Sequence, residues 1–191
     1  MPDATPRPPA ALRWQFLHLC PRGSVPEAWR PWLEDRGSLT RRLRVASDGD
    51  FAVRVLRQRF GRPATSEART LGLDQRRWAL IREVVLTGYG DPWVYARSVL
   101  PLTTLSGRLR HLRQLDDCPL GQVLFNDGSM RRDPVQVARL PGAALPAGVR
   151  SGGESHPARL WGRRSVFHLD GKPLLVAEFF LPGFDPYNAG R

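Results

Sequence analysis

The sequence predicts an α+β domain built on an antiparallel sheet, and three features carry that prediction. Asp170-Gly171 stands between two apolar runs, the strongest short-range hairpin signal in the chain. A second turn, Gly88-Tyr89-Gly90-Asp91-Pro92, separates two runs rich in β-branched and aromatic residues. Helix signals gather in their own stretches instead of alternating with strands, which favours hairpin-built sheets over parallel βαβ units.

Taken in order, residues 1–10 are proline-rich and are expected to be loose. Ser24 with Glu27 three residues on has the spacing of a capping box and predicts a helix over about 25–34. A second helix is expected after Ser38, through LTRRLRVA, before Asp48-Gly49-Asp50 turns the chain into a strand over 51–60. Strands are predicted over 76–87 and 93–101 around the glycine turn.

Between 107 and 126, Leu109, Leu112 and Leu115 fall at helical spacing. Two short helices joined around Asp116 to Pro119 are expected there. SMRRDPVQVARL, 129–140, suits an edge strand that tolerates its proline. Residues 141–157 carry Pro, Gly, Ala and Ser without apolar periodicity and predict a flexible insert. Strands over 160–169 and 173–181 close one domain spanning 11–185.

Composition narrows the function. With 191 residues, 41% of them hydrophobic, the chain can bury a core. No run of about 18 apolar residues is present, since Glu178 interrupts the most apolar stretch, so no membrane span is expected. The N-terminus lacks a signal-peptide core, and a cytoplasmic location is expected. Cys20 and Cys118 stand apart from each other and from any histidine pair, which argues against disulfide or zinc chemistry. The net charge of +11 raises nucleic acid as a partner. All but one of the 29 basic residues are arginines, Lys172 being the exception, and they are scattered instead of clustered, so none is expected.

No phosphate loop, nucleophile elbow or HExxH motif occurs, so neither nucleotide nor metal is called for. His18, His111, His156 and His168 share no catalytic spacing, and Ser106 has no evident base.

Two charges are conspicuous. In LLVAEFFL, Glu178 shares its face with Leu174, Val176 and Phe180, and the opposite face is apolar too. In WALIREVVL, Arg82 shares its face with Trp78, Leu80, Val84 and Leu86. A charge so placed pairs, changes protonation or faces a cavity, because burying it alone costs several kcal/mol. In the bland alternative, Arg82 and Glu178 pair across the sheet or lie at an exposed edge. In the functional one they end a small closed pocket suited to a hydroxylated cyclic carboxylic acid.

Five ordered blocks resemble the bacterial chorismate lyase family: WLEDRGSLTRRL (32–43), LIREVVL (80–86), GDPWVYARSVLPLTTLSG (90–107), CPLGQVLF (118–125) and LWGRRSVFHLDGKPLLVAEFFLP (160–182). The resemblance implies a single domain, an antiparallel sheet with helical flaps over a buried ligand, no cofactor, and a monomer. It implies conversion of chorismate to 4-hydroxybenzoate and pyruvate as the first step of ubiquinone synthesis, with inhibition by the retained product.

By the same resemblance Arg82 binds the ring carboxylate, joined by the backbone amides of Leu39 and Leu120. Glu178 meets the 4-hydroxyl, as a proton-transfer group or as a positioning one. Leu39 stands where the family commonly has methionine, and the loop over about 139–157 is longer than is usual. The rival is a non-catalytic sensor domain of the same fold that binds a small aromatic acid. It would need a DNA-reading helix-turn-helix, for which residues 1–50 offer no candidate.

Overall fold

A computed structural model describes residues 12–146, 148–149 and 159–189. The expected loose segment at 1–10 and most of the expected insert lie outside the described residues.

The two turn signals produce the two long hairpins. β3 (Ala79–Gly88) and β4 (Asp91–Pro101) are joined through Tyr89 and Gly90, both at positive φ. β7 (Arg159–Leu169) and β8 (Lys172–Phe180) are joined through Asp170 at φ 50° and Gly171 at φ 74°. Two left-handed residues in succession make the tight turn whose twist matches flanking strands. The hairpins lie side by side, β4 against β8, with β2 (Phe51–Gly61) added outside β3.

Two-residue β1 (Gln15–Phe16) pairs with β6 (Gln136–Pro141), and β6 with β7. Two-residue β5 (Arg131–Arg132) continues the line of β6 along β7. The order is thus β1-β6-β7-β8-β4-β3-β2, antiparallel throughout.

The expected strand over 129–140 is split because Pro134 has no N–H for the ladder, and Asp133 to Val135 bridge β5 and β6. β6 is also not the outermost strand, since β1 covers it.

Most of the helices pack on one face of the sheet; the short one over residues 65–70 lies on the other. α1 (Arg30–Glu34) follows a 3-10 turn over Glu27–Trp29, in place of the expected helix over 25–34. The capping box at its start is absent, because Pro26 occupies the cap position and Ser24 Oγ donates to the Pro21 carbonyl instead. α2 (Leu39–Ala46) begins as expected, with Ser38 accepting from the Arg41 amide. α3 (Thr65–Thr70), unexpected from sequence, is held by the Glu67 side chain accepting from the Ala64 amide. The segment over 107–126 gives a 3-10 helix (Gly107–Arg113) and α4 (Leu120–Asn126).

One face of the sheet therefore carries two apolar clusters. Trp32, Leu33, Leu39 and Leu43 pack on Val84, Leu86, Val94 and Phe180 at one end. Leu109, Leu112, Leu120 and Leu124 pack on Leu80, Leu100, Phe167 and Leu174 at the other. Between them the register aligns Arg82, Ser98, Val176 and Ser165 across four strands. That row is not filled by large apolar side chains, and a cavity lies over it.

Candidate functional site

The cavity is bounded by the sheet, by α2 and by α4, and encloses about 570 Å³ of space free of atoms, opening to solvent included. Arg82, Leu39, Leu120 and Glu178, the four residues singled out from sequence, all line it.

Arg82 comes from the middle of β3 and is 2% exposed. Its Nη1 donates to Gln58 Oε1 at 2.9 Å, its cross-strand partner on β2, and its Nη2 to the Cys118 carbonyl at 3.2 Å. Both acceptors are neutral. No carboxylate among the described residues pairs with it. Burial pushes its pKa down, against the raising influence of Cys118, Asp116 and Asp117. A guanidinium stays charged regardless, so Arg82 is a buried cation held by neutral acceptors.

The amides of Leu39 and Leu120 open α2 and α4 and belong to the first-turn N–H groups that no helix carbonyl can satisfy. The two helices approach closely where they begin. A Cβ on Gly121 would sit 2.9 Å from Thr40 Oγ1, so glycine is what permits the contact. Arg82 and these unpaired amides make one end of the cavity suited to a carboxylate.

Glu178 projects from β8 on the same face, and β4 separates its strand from that of Arg82. The two do not pair. Glu178 Oε2 instead accepts from Arg163 Nε at 2.7 Å, across the β7–β8 ladder where these residues are register partners. Oε1 has no hydrogen-bond partner among the described residues. Arg163, 1% exposed, also donates from Nη1 to the Trp32 and Asp35 carbonyls at 2.7 and 2.9 Å, tying β7 to α1 and the start of the loop that follows it.

Arg163 and Arg132, also on the cavity wall, were missed by sequence reasoning. A signal for Arg163 existed: a two-residue turn at Asp170-Gly171 pairs residue 169 with 172 and, counting back, 163 with 178. Arg132 reaches the cavity from β5, a placement with no local signal.

Between the two ends, Val53, Val84, Leu86, Ala96, Leu124 and Phe167 make an apolar wall. The space accepts a flat ring with an anion at one end and a hydrogen-bonding group at the other. Among the described residues no three His, Cys, Asp or Glu side chains gather as a metal site would require, and no helix is long and apolar enough to cross a membrane.

Comparison with known proteins agrees. The chorismate lyase family model matches residues 19–187. A probable chorismate pyruvate-lyase of Methylococcus capsulatus is 47% identical over 152 residues, covering 79% of this chain and 93% of that protein. One from Pseudomonas putida is 46% identical over 172 residues, covering 90% of each. Among solved structures, the ligand-binding domain of a putative GntR-family regulator from Bordetella bronchiseptica shares the fold, with a TM-score of 0.53 at 20% identity over 71% of this chain and 87% of that one. A family match over most of the length, and relatives this similar, establish that the chain belongs to the chorismate lyase family.

Proposed function

We propose that this chain is a chorismate pyruvate-lyase that converts chorismate to 4-hydroxybenzoate and pyruvate without a cofactor. It would act as a cytoplasmic monomer at the first step of ubiquinone synthesis. The observation that carries the reading beyond family membership is the cavity itself: at one end a buried Arg82 with no counterion among the described residues, at the other an oxygen of Glu178 that none of them engages. From strand spacing and register their Cα atoms lie about 12 Å apart, which leaves ring-sized room between converging side chains.

The reaction needs little of the protein beyond placement. The C3–O bond breaks, the C4 hydrogen leaves, and the ring becomes aromatic. The departing enolpyruvate takes a proton on its methylene carbon to become pyruvate, so every atom of chorismate appears in the two products. Arg82 and the amides of Leu39 and Leu120 would hold the ring carboxylate. Glu178 would orient the 4-hydroxyl and stand beside the C4 hydrogen. The flaps would exclude water and fix the reactive conformer. An acid enclosed in this way leaves slowly, so 4-hydroxybenzoate should inhibit.

Arg82→Ala should raise the chorismate KM and the 4-hydroxybenzoate Kd together, by about tenfold or more, since both ligands carry that carboxylate. Glu178→Ala should lower kcat more than it changes either affinity. Near-normal activity in both variants would overturn the site.

A further inference from the structure

Glu178 does not balance the charge at its end of the cavity. Arg163 Nη1 and Arg132 Nη1 both donate to one acceptor, the Asp35 carbonyl, at 2.9 and 3.2 Å, so two guanidiniums converge there. Glu178 pairs with Arg163 alone. Arg132 has no carboxylate partner among the described residues: its Nε donates to buried Ser165 Oγ at 3.0 Å, and its Nη1 to carbonyls of the α1–α2 loop. Its Nη2 finds no partner among those residues, while the side chain lines the cavity and lies over the Phe167 ring. Burial first, and Arg163 next, push its pKa down to about 10 against the opposing pull of Glu178. A half-buried cation that faces a cavity beside a like charge is held at a cost that an incoming anion would relieve.

We infer that Arg132 is the anchor for the second carboxylate of the substrate, the one on the enolpyruvyl group, and so distinguishes substrate from product. The inference rests on the lyase reading and adds a residue to it. Chorismate is a dianion whose enolpyruvyl ether sits on C3, next to the C4 hydroxyl. With the ring carboxylate at Arg82 and the hydroxyl at Glu178, the side arm must lie at the Glu178 end, where Arg132 stands. The charges match as well: Arg82, Arg132 and Arg163 against Glu178 leave an excess of two positive charges for two carboxylates. 4-Hydroxybenzoate has no second carboxylate to offer Arg132. Pyruvate, carrying it away, would leave by the same contact.

The alternative role for Arg132, a strut for the α1–α2 loop, is separable by experiment. Loosening that loop would disturb the Leu39 amide, which serves substrate and product alike. Arg132→Met and Arg132→Lys should be compared with the unaltered protein for chorismate KM and for 4-hydroxybenzoate Kd by calorimetry. In Arg132→Met the KM should rise about tenfold to a hundredfold, the worth of a charge-assisted contact, with product Kd within about threefold. Arg132→Lys should recover part of the loss.

Equal loss of both affinities, or no loss of either, in a folded variant would overturn the assignment. Absence of pyruvate release from the unaltered protein would instead defeat the lyase reading. The ratio of chorismate to 4-hydroxybenzoate affinity, measured as binding, would then still decide the role of Arg132.

Discussion

Arg163, itself 1% exposed, holds the Glu178 carboxylate with one nitrogen and two flap-side carbonyls with another. Replacing it with methionine leaves Glu178 without its partner and the α1–α2 loop without its tie. Removing one member of a buried pair typically costs about 3–5 kcal/mol. Urea denaturation of Arg163→Met should show a loss of that size, and a loss below about 1 kcal/mol would mean the pair is solvated.

Arg82 and Glu178 were legible in the sequence because each is a charge inside an apolar alternation, where burial makes charge expensive. Arg163 and Arg164 are adjacent, so alternation sends one to each face without telling which meets the cavity. Only hairpin counting resolves that. Arg132 depends on β5 docking against β7, a contact between residues 131–132 and 167–168 that no local pattern encodes.

The two flaps meet at Gly121 and Thr40, beside the cavity that both line. Gly121→Val should wedge them apart and speed 4-hydroxybenzoate dissociation by about tenfold, the scale of a modest overpacking penalty. Stopped-flow displacement reads this directly, and an unchanged off-rate would show that the cavity is closed elsewhere.

Beyond α4, Arg108 clasps Asp127 at the helix end and Asp170 in the β7–β8 turn. Hydrogen bonds from Arg108 hold both carboxyls below their ordinary range. A depressed carboxyl contributes stability above its unfolded pKa, near 4, and loses it as pH falls through the folded value. The Tm difference between the parent and Arg108→Ala should therefore be full above about pH 5 and close toward pH 2. A gap that widens in acid would contradict this.

Elements with local signals were legible: both hairpins, and α2 with its Ser38 cap. α3 was not, since TSEART has no apolar period and is fixed by Glu67 pairing with Arg97 of β4 beneath it. The helix expected from Ser24 and Glu27 lost its cap to Pro26.

Across the whole molecule the two sheet faces divide the work. One carries the cavity; the other buries an ionic cluster that no ligand need touch. There Arg97 donates to Glu67 and Glu83 at 2.7 and 2.8 Å, and the Tyr95 hydroxyl donates to Glu83 at 2.7 Å. Burial, then Glu83, pushes the Tyr95 pKa well above the usual phenol range. Arg97→Ala would strand two carboxylates and should destabilise by about 3–5 kcal/mol, while sparing 4-hydroxybenzoate affinity in the folded fraction. A selective loss of affinity would mean that the faces are coupled.

The fold class was legible because hairpin turns and segregated helices are local. The strand order was not. The β4–β8 pairing that unites the hairpins, and with them Arg82 and Glu178, joins segments about 80 residues apart and is decided by packing. The arginine-rich composition is partly spent on rings, with Arg42 over Trp32 and Arg164 over Trp14.

The most direct test of the central claim is to incubate the purified, metal-free protein with chorismate and follow pyruvate through a coupled dehydrogenase and 4-hydroxybenzoate by chromatography. Equimolar release of both, abolished in the Arg82→Ala, Glu178→Ala double variant, is the predicted result. Intact chorismate alongside measurable 4-hydroxybenzoate binding would contradict it and leave a sensor domain of the same fold.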